Sequence, residues 1–136
     1  GDTFRWKGEN VSTAEVEQVL MDAPGVSEAI VYGVPVPGQD GKAGMAALVV
    51  DGKFDAAAFA AHVESRLPPY AQPCFLRLIK AADTTGTFKY RKADLVADAF
   101  DPEKVAGVLY VRGGDAGYQK LTPATRAAIL AGESRL

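Results

Sequence analysis

Met45-Ala46-Ala47-Leu48-Val49-Val50, closed by Asp51-Gly52, is the stretch that decides the fold. Six apolar residues ending in two valines, with turn chemistry directly after, read as a strand. Ala29-Ile30-Val31-Tyr32 has the same character, and the Pro- and Gly-rich connection from Val34 to Gly44 makes the two runs strands of one sheet. Downstream, Asp55 can cap a helix in which Phe59, Val63 and Leu67 recur at intervals of four. That face needs a sheet to pack against, and Pro68-Pro69 stops the helix. Cys74 to Ile79 returns as a third strand. Upstream, Thr3-Phe4-Arg5-Trp6-Lys7-Gly8 alternates as a strand and runs into a glycine turn. Ser12-Thr13-Ala14-Glu15 is a capping box ahead of a helix with Val16, Leu20 and Ala23 on one face, ended by Pro24-Gly25. Beyond the third strand, Lys92 to Phe100 has helical spacing through Leu95, Val96 and Ala99. Val108 to Arg112 reads as a strand, Gly113 to Gly117 as a turn, and Thr122-Pro123 opens a last helix. The predicted architecture is α+β. It is a small mixed or antiparallel sheet, about three central strands plus an N-terminal hairpin, flanked by helices.

At 136 residues and 48% hydrophobic, the chain has the length and composition of one globular domain. Its net charge of −2 excludes general nucleic-acid binding, which draws its affinity from a basic surface. The charge is unevenly spread. From Thr13 to Glu64 there are eight acids and two bases, whereas Arg77 to Asp94 carries five bases and two acids, so one region suits an anionic ligand. Cys74 is the single cysteine; it allows no internal disulfide, fits a reducing compartment, and reads as core filling between Pro73 and Phe75. His62 is also alone, so no zinc site is expected, and it reads as a helix-surface or half-buried residue. No metal site is expected in this chain. The absence of an initiator Met suggests a piece of something larger.

The basic region centres on Thr85-Gly86-Thr87-Phe88-Lys89-Tyr90-Arg91-Lys92. A glycine turn followed by an extended segment would send Thr87 and Lys89 from one face and Phe88 from the other. Such a run is suited to hold phosphate.

Three blocks together resemble the C-terminal domain of adenylate-forming enzymes, the superfamily of acyl-CoA synthetases, luciferases and peptide synthetases. Phe4 to Val11 followed by Ala14-Glu15-Val16-Glu17 resembles the segment after the interdomain hinge. Leu67-Pro68-Pro69-Tyr70-Ala71-Gln72-Pro73 resembles its L-P-x-Y-x-x-P block, and Thr85-Gly86 with the basic run resembles its terminal lysine motif. The wording G-D-T-F-R-W-K-G-E-N-V, the sequence T-G-T-F-K and the tail from Phe100-Asp101-Pro102 to Leu136 resemble the fatty acid transport protein and very-long-chain acyl-CoA synthetase branch.

The resemblance implies a division of the chain. Residues 1–100 are expected to be the mobile lid domain, residues 101–136 an extension packed on it, and the large N-terminal domain binding ATP and acyl group lies outside. It implies ATP, magnesium, CoA and a fatty acid as substrates and cofactor of the full enzyme, with none held tightly by this domain. Acyl-adenylate forms first, the small domain then rotates, and CoA attacks. Gly1 falls at about the hinge. Gly8 matches the glycine that lets the pantetheine arm pass the backbone, with Lys7 and Asn10 beside it, and Arg5 falls where a thioester-stage basic residue stands in some relatives. Read without a gap, the superfamily's catalytic lysine falls on Thr87. Lys89, two residues on, is the candidate for adenylation, with Arg91 and Lys92 as further candidates. Glu15 has a capping role rather than one in acid–base chemistry with Glu9. Phe4, Trp6 and Tyr70 are expected at the interface with the larger domain, or stacked on adenine. The expected location is cytoplasmic, with peripheral membrane association of the full protein left open. Two other readings stand beside the ligase: a non-catalytic lipid-uptake or binding module, and an adenylating domain that loads a carrier protein.

Overall fold

The structure is a computed structural model that describes residues 2–80, 91–113, 116–133 and 136. It begins with a hairpin of β1 (Thr3–Trp6) and β2 (Glu9–Ser12), which leads into α1 (Thr13–Met21). Then follow β3 (Val26–Val34), β4 (Ala43–Val50), α2 (Ala56–Arg66), a single 3₁₀ turn (Pro69–Ala71) and β5 (Phe75–Lys80). The chain ends with α3 (Lys92–Asp98), β6 (Leu109–Arg112), β7 (Tyr118–Lys120) and α4 (Pro123–Leu130).

β4 organises the molecule, because every one of its residues is buried. A strand alternates its side chains between the two faces of a sheet, so a continuous apolar run requires cover on both. Met45, Ala47 and Val49 join one core with Tyr32, Phe75, Leu95 of α3 and Ile129 of α4. Ala46, Leu48 and Val50 join the other, with Val16 and Leu20 of α1 and Phe59 and Val63 of α2. The result is three layers, with helices on both faces of the sheet. The sheet runs β3-β4-β5-β6-β7; only the β4–β5 pairing is parallel, and α2 supplies the crossover that a parallel pair requires.

The three central strands expected from the sequence are β3, β4 and β5, and the sheet continues through two more strands of the tail. Val108 to Arg112 was legible as one of these; β7, three residues long, is too short to carry an alternation. Phe75 of β5 stacks face to face on Phe100 at 4.2 Å between centroids, fastening the end of α3 to the sheet.

The capping residues read from the sequence act as expected. Ser12 accepts from the Glu15 amide at 3.4 Å, Asp55 from the Ala57 amide at 3.3 Å, and Thr122 from the Thr125 amide at 3.1 Å. α1 ends at Met21, before Pro24-Gly25, but Ala23 is buried with the α1 face as its spacing implied. α1 also screens the outer edge of the sheet: the Glu17 carboxylate accepts the Val31 amide of β3 at 3.0 Å.

The hairpin is seated by glycines. Trp6 bridges to Gly41 antiparallel, and the Lys42 amide donates to the Arg5 carbonyl at 2.8 Å. Gly41 has φ +76°, and a Cβ there would overlap the Arg5 carbonyl oxygen. Gly41→Ala is therefore expected to destabilise the fold by about 1–3 kcal/mol through left-handed strain and the displaced hairpin. Urea unfolding checks it, and an unchanged midpoint would refute the seating.

Candidate functional site

The hairpin reverses through Lys7-Gly8, both in left-handed conformation, with φ +51° and +81°. A two-residue hairpin loop with positive φ at both central positions matches the right-handed twist of its strands, and glycine suits the second position without steric cost. Lys7 thus lies in the turn rather than on the strand. Space is open where a Gly8 Cβ would project, so a ligand can approach the backbone there. Lys7 has taken a conformation that is uncommon for a non-glycine residue, and two contacts hold it: its ammonium donates to the Leu136 main-chain oxygen and lies 5.7 Å from the centre of the Trp6 ring.

Arg5 and Asn10 are directly opposite in the β1–β2 register, both exposed, and the Arg5 guanidinium donates to the Asn10 side-chain oxygen at 3.0 Å. The hydrogen-bond partner of Arg5 is thus a neutral side chain. The positive charge of Arg5 stays at the surface, two residues before Lys7. The hairpin therefore brings Arg5, Lys7, Gly8 and Asn10 into one exposed strip, backed by the buried Trp6. Trp6 is 2% exposed and belongs to this domain's own core, which corrects its assignment to an adenine stack or a domain interface. Phe4 also packs inward, against Gly33 and Gly44, where any Cβ would crowd its ring. Tyr70 is partly buried on the 3₁₀ turn.

At the start of α3, Arg91 is the N-cap residue, exposed and without a side-chain cap. Lys92 follows and pairs with the Asp2 carboxylate at 2.6 Å, which holds the Asp2 carboxyl below its usual pKa, first through the hydrogen bond and then through the charge of Lys92. Gly1, Thr87 and Lys89 lie outside the described residues, as does the turn Thr85-Gly86. Nothing in the sequence links Asp2 to Lys92, since ninety positions separate them and no local pattern joins them.

The two residues read as inert are built that way. Cys74 is 2% exposed, and burial pushes its thiol up to about 11. His62 is half-buried, with Nε2 2.6 Å from the Val19 carbonyl oxygen, joining α2 to the end of α1. Tyr118 donates its buried hydroxyl to the Pro73 carbonyl at 2.6 Å, and burial raises its pKa. No helix among the described residues is long and apolar enough to cross a membrane.

Comparison with known proteins adds to this geometry. Residues 15–89 match the family model of the AMP-binding enzyme C-terminal domain, a match that reaches as far as Lys89. The chain is 46% identical, over its whole length, to 21% of mouse long-chain fatty acid transport protein 3. It is 50% identical over 81% of its length to 17% of human long-chain fatty acid transport protein 1. It thus spans about a fifth of the length of these relatives. Among solved structures, a Mycobacterium tuberculosis fatty acyl CoA synthetase superposes with a TM-score of 0.57 at 31% identity, covering 71% of this chain and 19% of that one. The o-succinylbenzoate CoA synthetase of Bacillus subtilis, bound to a product analogue, gives 0.58 at 30% identity, covering 72% and 20%.

A thiol with its pKa near 11 is almost wholly protonated at pH 8, and thiolate is the reactive form. Cys74 is expected to resist alkylation by iodoacetamide at pH 8 in the native protein and to react at once in urea. Rapid native labelling would contradict the burial assigned to it.

Proposed function

The chain belongs to the AMP-binding enzyme C-terminal domain family, and from that premise we propose that it is the mobile catalytic lid of a long- or very-long-chain fatty acyl-CoA synthetase. The observation that carries the reading is the Lys7-Gly8 turn, whose open space at Gly8 and two cations, Lys7 in the turn and Arg5 on the strand before it, suit the passage of a phosphorylated thiol carrier. Identity near one half to long-chain fatty acid transport proteins supports the fatty acid as the acyl substrate.

In the proposed reaction a carboxylate oxygen of the fatty acid attacks the α-phosphorus of ATP and pyrophosphate leaves. Negative charge grows on the leaving group, and a cation delivered by the lid compensates it in a site closed to water. Lys89 is assigned that role, with Thr87 beside it and Arg91 as a second cation at the phosphates. Rotation at Gly1 then exchanges the basic run for the hairpin strip. The CoA thiol attacks the acyl carbonyl, AMP leaves, and Arg5 faces the developing charge while Lys7, Gly8 and Asn10 line the approach of the pantetheine arm. The CoA phosphates are anions and the strip is cationic, which favours their encounter. Magnesium accompanies ATP in this reading, and no residue of this chain is assigned to it. The large N-terminal domain supplies the ATP and acyl pockets. The full protein is assigned to the cytoplasmic side, peripheral to a membrane.

Thr87, standing where the superfamily lysine directly follows T-G, favours one second reading: a lipid-uptake or binding module that keeps the fold without the ligase chemistry.

The test separates the two half-reactions in the full-length protein. Lys89→Ala is expected to lower acyl-adenylate formation about a hundred- to a thousandfold while thioester formation from supplied acyl-adenylate persists. Arg5→Ala is expected to do the reverse, and Thr87→Ala to change either step only slightly. If wild-type protein forms no acyl-adenylate at all, the binding-module reading replaces the ligase. Offering CoA and a carrier-protein thiol in parallel decides the acceptor.

A further inference from the structure

Asp2 is held from two sides. Its carbonyl oxygen accepts from the Thr13 amide at 3.1 Å and from the Thr13 hydroxyl at 3.0 Å, so the first turn of α1 grips its backbone. Its carboxylate pairs with Lys92 at 2.6 Å, so the first turn of α3 grips its side chain. α1 and α3 lie on opposite faces of the sheet. One residue therefore joins both helical layers, immediately after the position assigned as hinge.

The start of α3 needs such an anchor. Arg91 offers no side-chain cap, and two cations stand where the positive end of the helix dipole disfavours them. Only Asp94 in that turn opposes them, and the Asp2 carboxylate supplies a second negative charge from outside. Further along, Leu95 is buried in the core, so α3 is fixed at its middle and tied at its start by the Lys92 pair.

We propose that Asp2 and Lys92 are positioning residues whose pairing locks the start of α3 to the strand entering the domain, so that the Arg91–Lys92 end of the basic run turns with the hinge as one body. This rests on the reading of Gly1 as hinge and of the basic run as the adenylation site. It also moves Lys92 away from the phosphate role the sequence offered: its ammonium is engaged by a carboxylate. Contribution to stability is not the point, since half-exposed pairs of this kind contribute little. Orientation is the point, because small displacements of a charge-bearing group cost rate steeply.

The experiment is a double-mutant cycle in the full-length protein, with kcat and KM for ATP measured in acyl-adenylate formation. Asp2→Asn and Lys92→Met are each expected to lower kcat on the order of tenfold, with KM for ATP unchanged. Their effects should not multiply in the double variant, and the exchanged pair Asp2→Lys with Lys92→Asp should recover most of the rate. Lys92→Arg, which keeps the ion pair, should retain activity, and Lys92→Gln takes the place of Lys92→Met in the cycle if that variant lowers the unfolding midpoint. Should Lys92→Met raise KM for ATP while Asp2→Asn is silent, Lys92 meets phosphate directly and the proposal is overturned. It is equally overturned if both variants are silent while Lys89→Ala disables adenylation. If Lys89→Ala is silent as well, the fault lies in the reading of the basic run, and the proposal falls with it.

Discussion

A strand that is apolar on both faces cannot be satisfied by one layer of helices, and β4 imposes that constraint on everything around it. α1 and α2 cover one side of the sheet, α3 and α4 the other, and the strand between them is buried along its whole length. Burying an aliphatic side chain contributes roughly 1.5–3 kcal/mol, so residues such as Met45 and Leu48 set the order of the layers more firmly than any surface contact does. The parallel pairing of β4 with β5 follows, because α2 must cross one face to connect them. The hairpin that carries the candidate thiol-side residues sits against this assembly rather than within the main sheet. Its own two-stranded ladder is small, and it relies on Trp6 and the Gly41 contact for a fixed orientation.

That arrangement divides labour between rigid and adaptable parts. Arg5 and Asn10 stand on strands, whereas Lys7 and Gly8 form a turn with a defined and unusual backbone. Charged side chains at the surface lose little solvation, and their positions are set by the backbone beneath them. The candidate strip is thus presented by geometry that owes its precision to buried neighbours. The half-buried Arg77–Asp98 pair at 3.0 Å ties β5 to the end of α3, adding a polar fastening on the side opposite α1.

Much of this was legible in the residues. The apolar runs gave β3, β4 and β5, the period-four face gave α2, and Ser12, Asp55 and Thr122 marked helix starts because a short side-chain oxygen can satisfy an otherwise unpaired amide. Cys74 and His62 were read as structural, and they are. What escaped the sequence depends on distance along the chain or on shortness. β7 has three residues and no period to detect. Trp6 was expected at a domain interface or on adenine, because an aromatic on an alternating strand does not reveal which partner covers it. The Glu17 carboxylate on the β3 edge and the Asp2 contacts join positions that only folding brings together. For the candidate site, Arg5, Lys7, Gly8 and Asn10 were marked by the resemblance to adenylate-forming enzymes, but the Arg5–Asn10 pairing was not legible.

β6 and β7 have a consequence beyond completing a sheet. The Leu76 and Arg77 positions of β5 pair with Tyr110 and Leu109, so the tail occupies an edge that would otherwise present free amides and carbonyls beside an apolar face. A chain cut after α3 would leave that edge bare, ready to recruit a strand from a neighbouring molecule. β6 and β7, which lie past the family match, therefore cover that edge of β5. The sheet then ends on a strand of three residues whose Gln119 and Lys120 are exposed and polar, a poor template for a further strand.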